Sequence, residues 1–167
     1  MNGIVEQLSI SKGGVPKYPM LQAWAGPLGL EGDVQRHTEI HGGPLQALLL
    51  ISREDLDALR EDGFPVVPGS LGENLTVSGI DFRQLRPGMR LRAGDAIVEL
   101  TRVRRPCAQL EIYNGGETGR IQKAMLAVAA RSGFYAAVLQ AGACLLYTSC
   151  HDDRPRISPD SGWHRGL

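Results

Sequence analysis

Cys107 closes the string Arg104-Arg105-Pro106-Cys107. Pro106 fixes φ and stiffens the approach to the cysteine. Positive charge beside a thiol favours the thiolate, the form that ligates soft metals or attacks sulfur. The competing reading of Cys107 is an inert, buried, small hydrophobe.

Three further stretches carry candidate chemistry. Gly29-Leu30-Glu31-Gly32-Asp33 is followed by Arg36, His37 and His41-Gly42-Gly43-Pro44. Glycines allow close backbone approach to a ligand, and the neighbouring Arg and His side chains can grip an anionic group. The two histidines stand four apart, but only a helix would put them on one face, and this glycine-punctuated stretch does not read as helical. A plain surface loop is the alternative.

The loop Pro68-Gly69-Ser70-Leu71-Gly72-Glu73-Asn74-Leu75-Thr76 offers backbone N–H groups and small polar side chains to a phosphate or a polar heterocycle. It is neither a Walker loop nor a dinucleotide fingerprint. Lys17 adds a further cation, or is simply a solvated lysine. Ser70, Ser78, His37 and His41 assemble no Ser-His-Asp arrangement by order or spacing.

These residues need elements to hold them. Ile4 to Ile10 alternates apolar and polar residues as a strand does, and Leu21 to Trp24 predicts a second strand ended by Gly26-Pro27. Ala47 to Ile51 is an unbroken apolar run, which fits a strand buried on both faces. Ser52 then reads as the N-cap of a helix stopped by Gly63. Leu75 to Val77 predicts a strand, and Asp81 to Leu85 a short turn or helix. Arg90 to Arg92 and Ala96 to Val103 predict a hairpin turned at Gly94-Asp95. Ile121 to Leu139 reads as helical, split near Ser132-Gly133. Together these elements predict a mainly β, barrel-like α+β core with peripheral helices.

The chain has 167 residues, enough for one domain with a real core. Its 18 basic and 18 acidic residues cancel, so the basic excess of a nucleic-acid binder is missing. Neither a signal-type apolar segment nor an 18-residue apolar run occurs, which predicts a cytoplasmic protein without a membrane partner. The three cysteines form no CxxC pair, which argues against a structural zinc site.

In this order the motifs resemble the MOSC family, named after the C-terminal domain of molybdenum cofactor sulfurases. The resemblance rests on Gly14-Val15-Pro16-Lys17, Gly29 to Asp33, His41 to Pro44, Pro68 to Thr76, Leu85-Arg86-Pro87-Gly88 and Pro106-Cys107. Gly133-Phe134-Tyr135-Ala136 fits the small stand-alone bacterial members. The resemblance spans about residues 3 to 142.

It implies a barrel-like fold and a molybdenum cofactor of the molybdopterin type, with no pyridoxal phosphate in this domain. It implies that Cys107 ligates the metal or carries a persulfide. Lys17, Arg36 and Arg104 would neutralise the cofactor's phosphate or orient the pterin. His41, Gly42, Gly43, Asn74 and Thr76 would line the cofactor or substrate. The activity implied is reduction of N-hydroxylated small molecules, fed by a separate electron-donor protein because the chain has no flavin, haem or iron–sulfur motif. Sulfur transfer and non-catalytic cofactor binding are the alternatives.

Residues 1–142 are therefore expected to form the domain. After Gly142 the resemblance stops, and the string Cys144-Leu145-Leu146-Tyr147-Thr148-Ser149 looks like translated adapter DNA. Residues 143–167 are expected to be a non-native or disordered tail, leaving the barrel short of a strand.

Overall fold

The computed structural model describes residues 2–34, 42–145 and 156–159. Eleven strands, two α-helices and three short 3₁₀ segments make up the described fold. They are β1 (Gly3–Ile10), β2 (Tyr18–Met20), β3 (Gln22–Gly26), β4 (Gly29–Leu30), β5 (Leu48–Ser52), α1 (Arg53–Glu61), β6 (Leu75–Ser78), β7 (Arg90–Ala93), β8 (Ala96–Val103), α2 (Arg120–Leu126), β9 (Phe134–Gln140), β10 (Gly142–Leu145) and β11 (Arg156–Pro159).

Seven strands close a barrel in the order β1-β6-β5-β9-β8-β7-β11 and back to β1. All pairings in the ring are antiparallel except β5 with β6, where α1 supplies part of the crossover. β2 hangs on the free end of β1 and leads into a small sheet ordered β10-β3-β4. The barrel and its peripheral helices are the architecture expected from the sequence.

Core patterning explains the ring. β8 alternates cleanly, with Ala96, Val98 and Leu100 buried and the residues between them half-exposed. β5 is buried on both faces: Leu48 and Leu50 join the barrel interior, while Leu49 and Ile51 join a second cluster with Leu56, Leu59, Leu110, Ile121 and Met125. That double burial is why the run reads as continuously apolar. In β1 the strict alternation breaks. The register shifts between Val5 and Gln7, so Val5 and Leu8 both reach the core.

Helix α1 begins as its cap predicts. Ser52 Oγ accepts from the Asp55 N–H at 3.2 Å and donates to Glu54 at 2.8 Å. Gly63, at φ 87°, follows its end. The β7–β8 hairpin turns at Gly94-Asp95, pairing Ala93 with Ala96.

One expectation differs from the structure. The second half of the expected 121–139 helix is strand β9. Gly133 at φ 86° ends the preceding turn, and its Cα lies against the Leu50 carbonyl of β5, where a Cβ would come within 2.2 Å. The aromatic pair Phe134-Tyr135 then suits a strand between two buried neighbours better than a helix. Within residues 143–167, the two described stretches are strands. Ala143 to Leu145 lie in β10 beside β3, and residues 156–159 form β11, which pairs both β1 and β7. Ile157 is fully buried in the barrel core, and Cys144 is nearly so. Among the described residues, no helix is long and apolar enough to cross a membrane.

Candidate functional site

One pocket gathers residues from four distant parts of the chain. Its lining includes Gly14, Val15 and Lys17 after β1, Gly42 and Gln46 before β5, Leu71, Gly72 and Asn74 before β6, and Arg104 and Cys107 after β8. Tyr135 and Leu49 add apolar wall.

Cys107 leaves the barrel just past β8 and is half-exposed. Its carbonyl accepts from Leu110 N–H at 3.2 Å and from Gln122 Nε2 at 3.1 Å, so the 3₁₀ segment 108–113 and helix α2 fix its backbone. Arg104 is pinned by its main chain. Its N–H donates to the Gly133 carbonyl at 2.9 Å, and its own carbonyl accepts from Ser132 Oγ at 2.6 Å. The Arg104 side chain is buried, yet its Nη1 has no hydrogen-bond partner. Arg105 is exposed.

Lys17 and Asp33 form an ion pair with both side chains nearly buried. Burial holds the Lys17 ammonium below the usual lysine range, and the Asp33 carboxylate offsets part of that effect. Asp33 also accepts from Ser11 N–H and from Asn74 Nδ2, each at 2.8 Å. Asn74 is itself fully engaged: its Oδ1 accepts from Leu49 N–H at 3.1 Å, and its Nδ2 also donates to the Ser9 carbonyl at 3.2 Å. Asn74 lines the pocket but works as a clamp between β1, β5 and the Lys17 pair.

The backbone donors of the loop 68–76 are engaged within the protein. Glu73, fully buried, takes the Gly69 N–H at 2.6 Å and the Leu71 N–H at 3.1 Å. The N–H groups of Ser70 and Gly72 donate within the loop as well. The loop's own carboxylate thus occupies the donors that a phosphate would use. Burial raises the Glu73 pKa, against the pull of the Gly69 N–H, its own N–H, Arg104 and Thr76. Thr76 is buried, bonds Glu73 at 3.2 Å and does not line the pocket. The loop's service to the site is positional. Gly69, at φ 92°, accepts from the Lys17 N–H at 2.9 Å and lies flat against the Lys17 carbonyl.

Of the expected residues, Lys17, Gly42, Asn74, Arg104 and Cys107 meet at the pocket. Gly43 lies at its edge as the N-cap of the 3₁₀ segment 44–46 and is not part of the lining. Arg36 and His41 lie outside the described residues. The sequence reading missed Gln46 and Tyr135 as lining residues and the partnership of Asp33 with Lys17. Gln46 had one visible signal: it is a polar residue directly before the apolar run 47–51.

A model of the MOSC domain matches residues 37–147. The chain belongs to the MOSC domain family. This MOSC domain is 37% identical over 92 residues to protein YiiM of Escherichia coli, covering 52% of this chain and 40% of that protein. It is 31% identical over 115 residues to the uncharacterized protein YflK of Bacillus subtilis, covering 67% of this chain and 50% of that protein. The chain thus matches half or less of the length of these two curated relatives. Among solved structures, YiiM from Geobacillus stearothermophilus superposes with a TM-score of 0.70 at 24% identity, covering 86% of this chain and 71% of that one. The YUAD protein from Bacillus subtilis superposes with a TM-score of 0.72 at 20% identity, covering 94% of both. These likenesses establish the fold.

Proposed function

We propose that this MOSC domain binds a molybdenum cofactor of the molybdopterin type, with Cys107 as the protein's metal ligand, and reduces N-hydroxylated small molecules. The observation that carries the reading is that Arg104, a buried cation, lines the same pocket as Cys107. One guanidinium nitrogen is without a partner among the described residues, and a bound anion would add to the partial neutralisation that Glu73 supplies.

The donor set fits such a group. Among the described residues, no three His, Cys, Asp or Glu side chains cluster to hold a metal ion. A metal carried on an organic dithiolene chelate needs only one soft protein ligand, and Cys107 offers it. Arg104 and Lys17 would neutralise the phosphate. Gly14, Gly42 and Gly72 let the backbone approach a flat ring, and Leu49, Leu71 and Tyr135 keep it dry.

The cofactor, when bound, supplies two-electron chemistry at the metal. Reduction of an N–OH group to N–H consumes two electrons and two protons and releases water. The electrons come from a separate donor protein. On the protein's side, Lys17 Nζ would hold positive charge at the pocket wall. Asp33 orients the ammonium.

The test is molybdenum content by elemental analysis of protein made in a host that synthesises the cofactor, for the native chain and Cys107→Ser. Stoichiometric metal that is lost in Cys107→Ser supports the reading. Folded protein without metal in either form overturns it in favour of sulfur transfer, which cyanide-releasable sulfur on Cys107 would then reveal. Stoichiometric metal without turnover leaves a cofactor-binding module and overturns the reductase assignment.

A further inference from the structure

Elsewhere on the described surface, arginines meet acids or carbonyls. Arg53 and Arg60 pair with Asp57, Arg83 with Asp81, Arg90 with Glu99 and Arg131 with Asp62, while Arg86 and Arg120 reach main-chain carbonyls. Arg102 and Arg105 differ. Both are exposed, and among the described residues neither has an acidic partner. Arg102 lies over the Tyr135 ring, 5.2 Å from its centroid.

An irregularity in β8 brings this part of the chain to the surface. Its pairing with β9 shifts register between Leu100 and Arg102, so Arg102 and Val103 are exposed one after the other, where a regular strand would turn one of them inward. Thr101 Oγ1 donates to the Leu45 carbonyl at 2.7 Å, which sets Leu45, 68% exposed, beside this end of the strand. Leu45 and Val103 thus supply apolar ground beside two unpaired guanidinium groups. The surface borders the Cys107 pocket: Gln46 follows Leu45, Tyr135 seats Arg102, and Arg104 and Cys107 flank Arg105, and all four line that pocket.

The whole chain carries as many acids as bases, so the positive charge here is a local excess. Its complement is a carboxylate-bearing face. A small anion would use the arginines and leave Leu45 and Val103 in water; a protein face uses both. We propose that this surface docks an acidic electron-carrier protein, whose carboxylates pair with Arg102 and Arg105 while its less polar centre covers Leu45 and Val103. The proposal rests on the reductase reading for the need of a donor and goes beyond it in placing that donor. Tyr135 is both the seat of Arg102 and a wall of the pocket, so a carrier docked there stands against the pocket's own lining. Exposed ionic contacts of this kind give fast, salt-sensitive, short-lived encounters, as repeated electron delivery requires.

The test follows the backbone amide resonances of the isotope-labelled full chain as an acidic carrier, flavodoxin or a plant-type ferredoxin, is added at low salt. Basic cytochrome c is the contrast. The expected shifts centre on Leu45 and residues 102–105. Kd is expected to rise about tenfold in Arg102→Gln/Arg105→Gln, and about tenfold for the native chain on going to physiological salt. Arg105→Gln alone, which leaves the Arg102–Tyr135 contact in place, should weaken binding about threefold without moving the Tyr135 resonance. Arg53→Gln, on α1, should bind as the native chain does. Native protein that binds neither acidic carrier overturns the proposal. So do shifts centred elsewhere, arginine variants that bind as the native chain, or equal binding of cytochrome c. Failure of the cofactor reading is seen separately, as protein without molybdenum whose docking still depends on the two arginines; molybdenum-loaded protein that docks neither carrier overturns this proposal alone.

Discussion

Gly69→Ala is expected to destabilise the domain and to disturb the pocket through Lys17. At φ 92° the backbone of residue 69 is in a region that costs an L-residue about 1–2 kcal/mol. A Cβ there would also sit 2.2 Å from the Lys17 carbonyl oxygen and 3.3 Å from Ser9 Oγ. The first contact is with backbone, which has no rotamer to escape into, so the 68–72 loop and the 15–17 segment must part by roughly 1 Å to restore ordinary contact. That parting breaks the Lys17 N–H bond to the Gly69 carbonyl, now 2.9 Å, for about 0.5–1.5 kcal/mol more. The expected loss is about 3 kcal/mol, or about 6–12 °C in melting temperature for a domain of this size. Gly88→Ala is the control. Gly88 has φ 87°, but a methyl group there would meet nothing within 4 Å, so it isolates the backbone strain. Urea unfolding of the two variants separates strain from collision. Equal losses would refute the argument that Gly69 is a glycine because Lys17 lies against it.

Three further outcomes are expected. Alkylation with iodoacetamide at pH 8 modifies Cys107 well before Cys144, read by peptide mass mapping: Cys107 is half-exposed, whereas burial pushes the Cys144 thiol up to about 11 while its Sγ donates to the Ala93 carbonyl at 3.3 Å. Ile157→Ala costs about 2–5 kcal/mol by denaturant titration, since Ile157 is fully buried in the barrel interior; a neutral result would show residues 156–159 to be dispensable, as a non-native tail would be. Because burial raises the Glu73 pKa, the folded protein binds the extra proton first. Native stability relative to Glu73→Gln should therefore rise as pH falls from the folded-state pKa of Glu73 towards 4.5, and a flat difference would remove Glu73 as the source.

Local chemistry made much of this protein legible. Ser52 announced α1 because its hydroxyl has an obvious use at a helix start, and Gly94-Asp95 announced the β7–β8 hairpin because few dipeptides turn that tightly. Lys17, Arg104 and Cys107 were legible by chemical type and motif order. What stayed hidden depended on long-range packing. Phe134 to Leu139 has too many alanines to look like a strand, and only its seat between β5 and β8 decides it. Asn74 and the 68–76 loop suggested ligand binding because nothing local reveals that Asp33 and Glu73 consume their donors. Gln46 carried only the weak signal of a polar residue before the apolar run 47–51, and its place in the pocket lining depends on distant segments.

The Asp33 carboxylate also ties three segments into one unit of heredity. A single oxygen, Oδ2, serves Lys17 and Asn74 together, while Oδ1 serves the Ser11 N–H. Position 33 therefore cannot drift alone. Exchange of its charge strands a buried ammonium and an amide from two other segments, so lineages that change one of the three must pass through a poorly folding intermediate or change several at once. Positions 17, 33 and 74 should vary as a linked set across MOSC sequences of this type, and substitutions at Lys17 and Asp33 combined should cost far less than the sum of each alone.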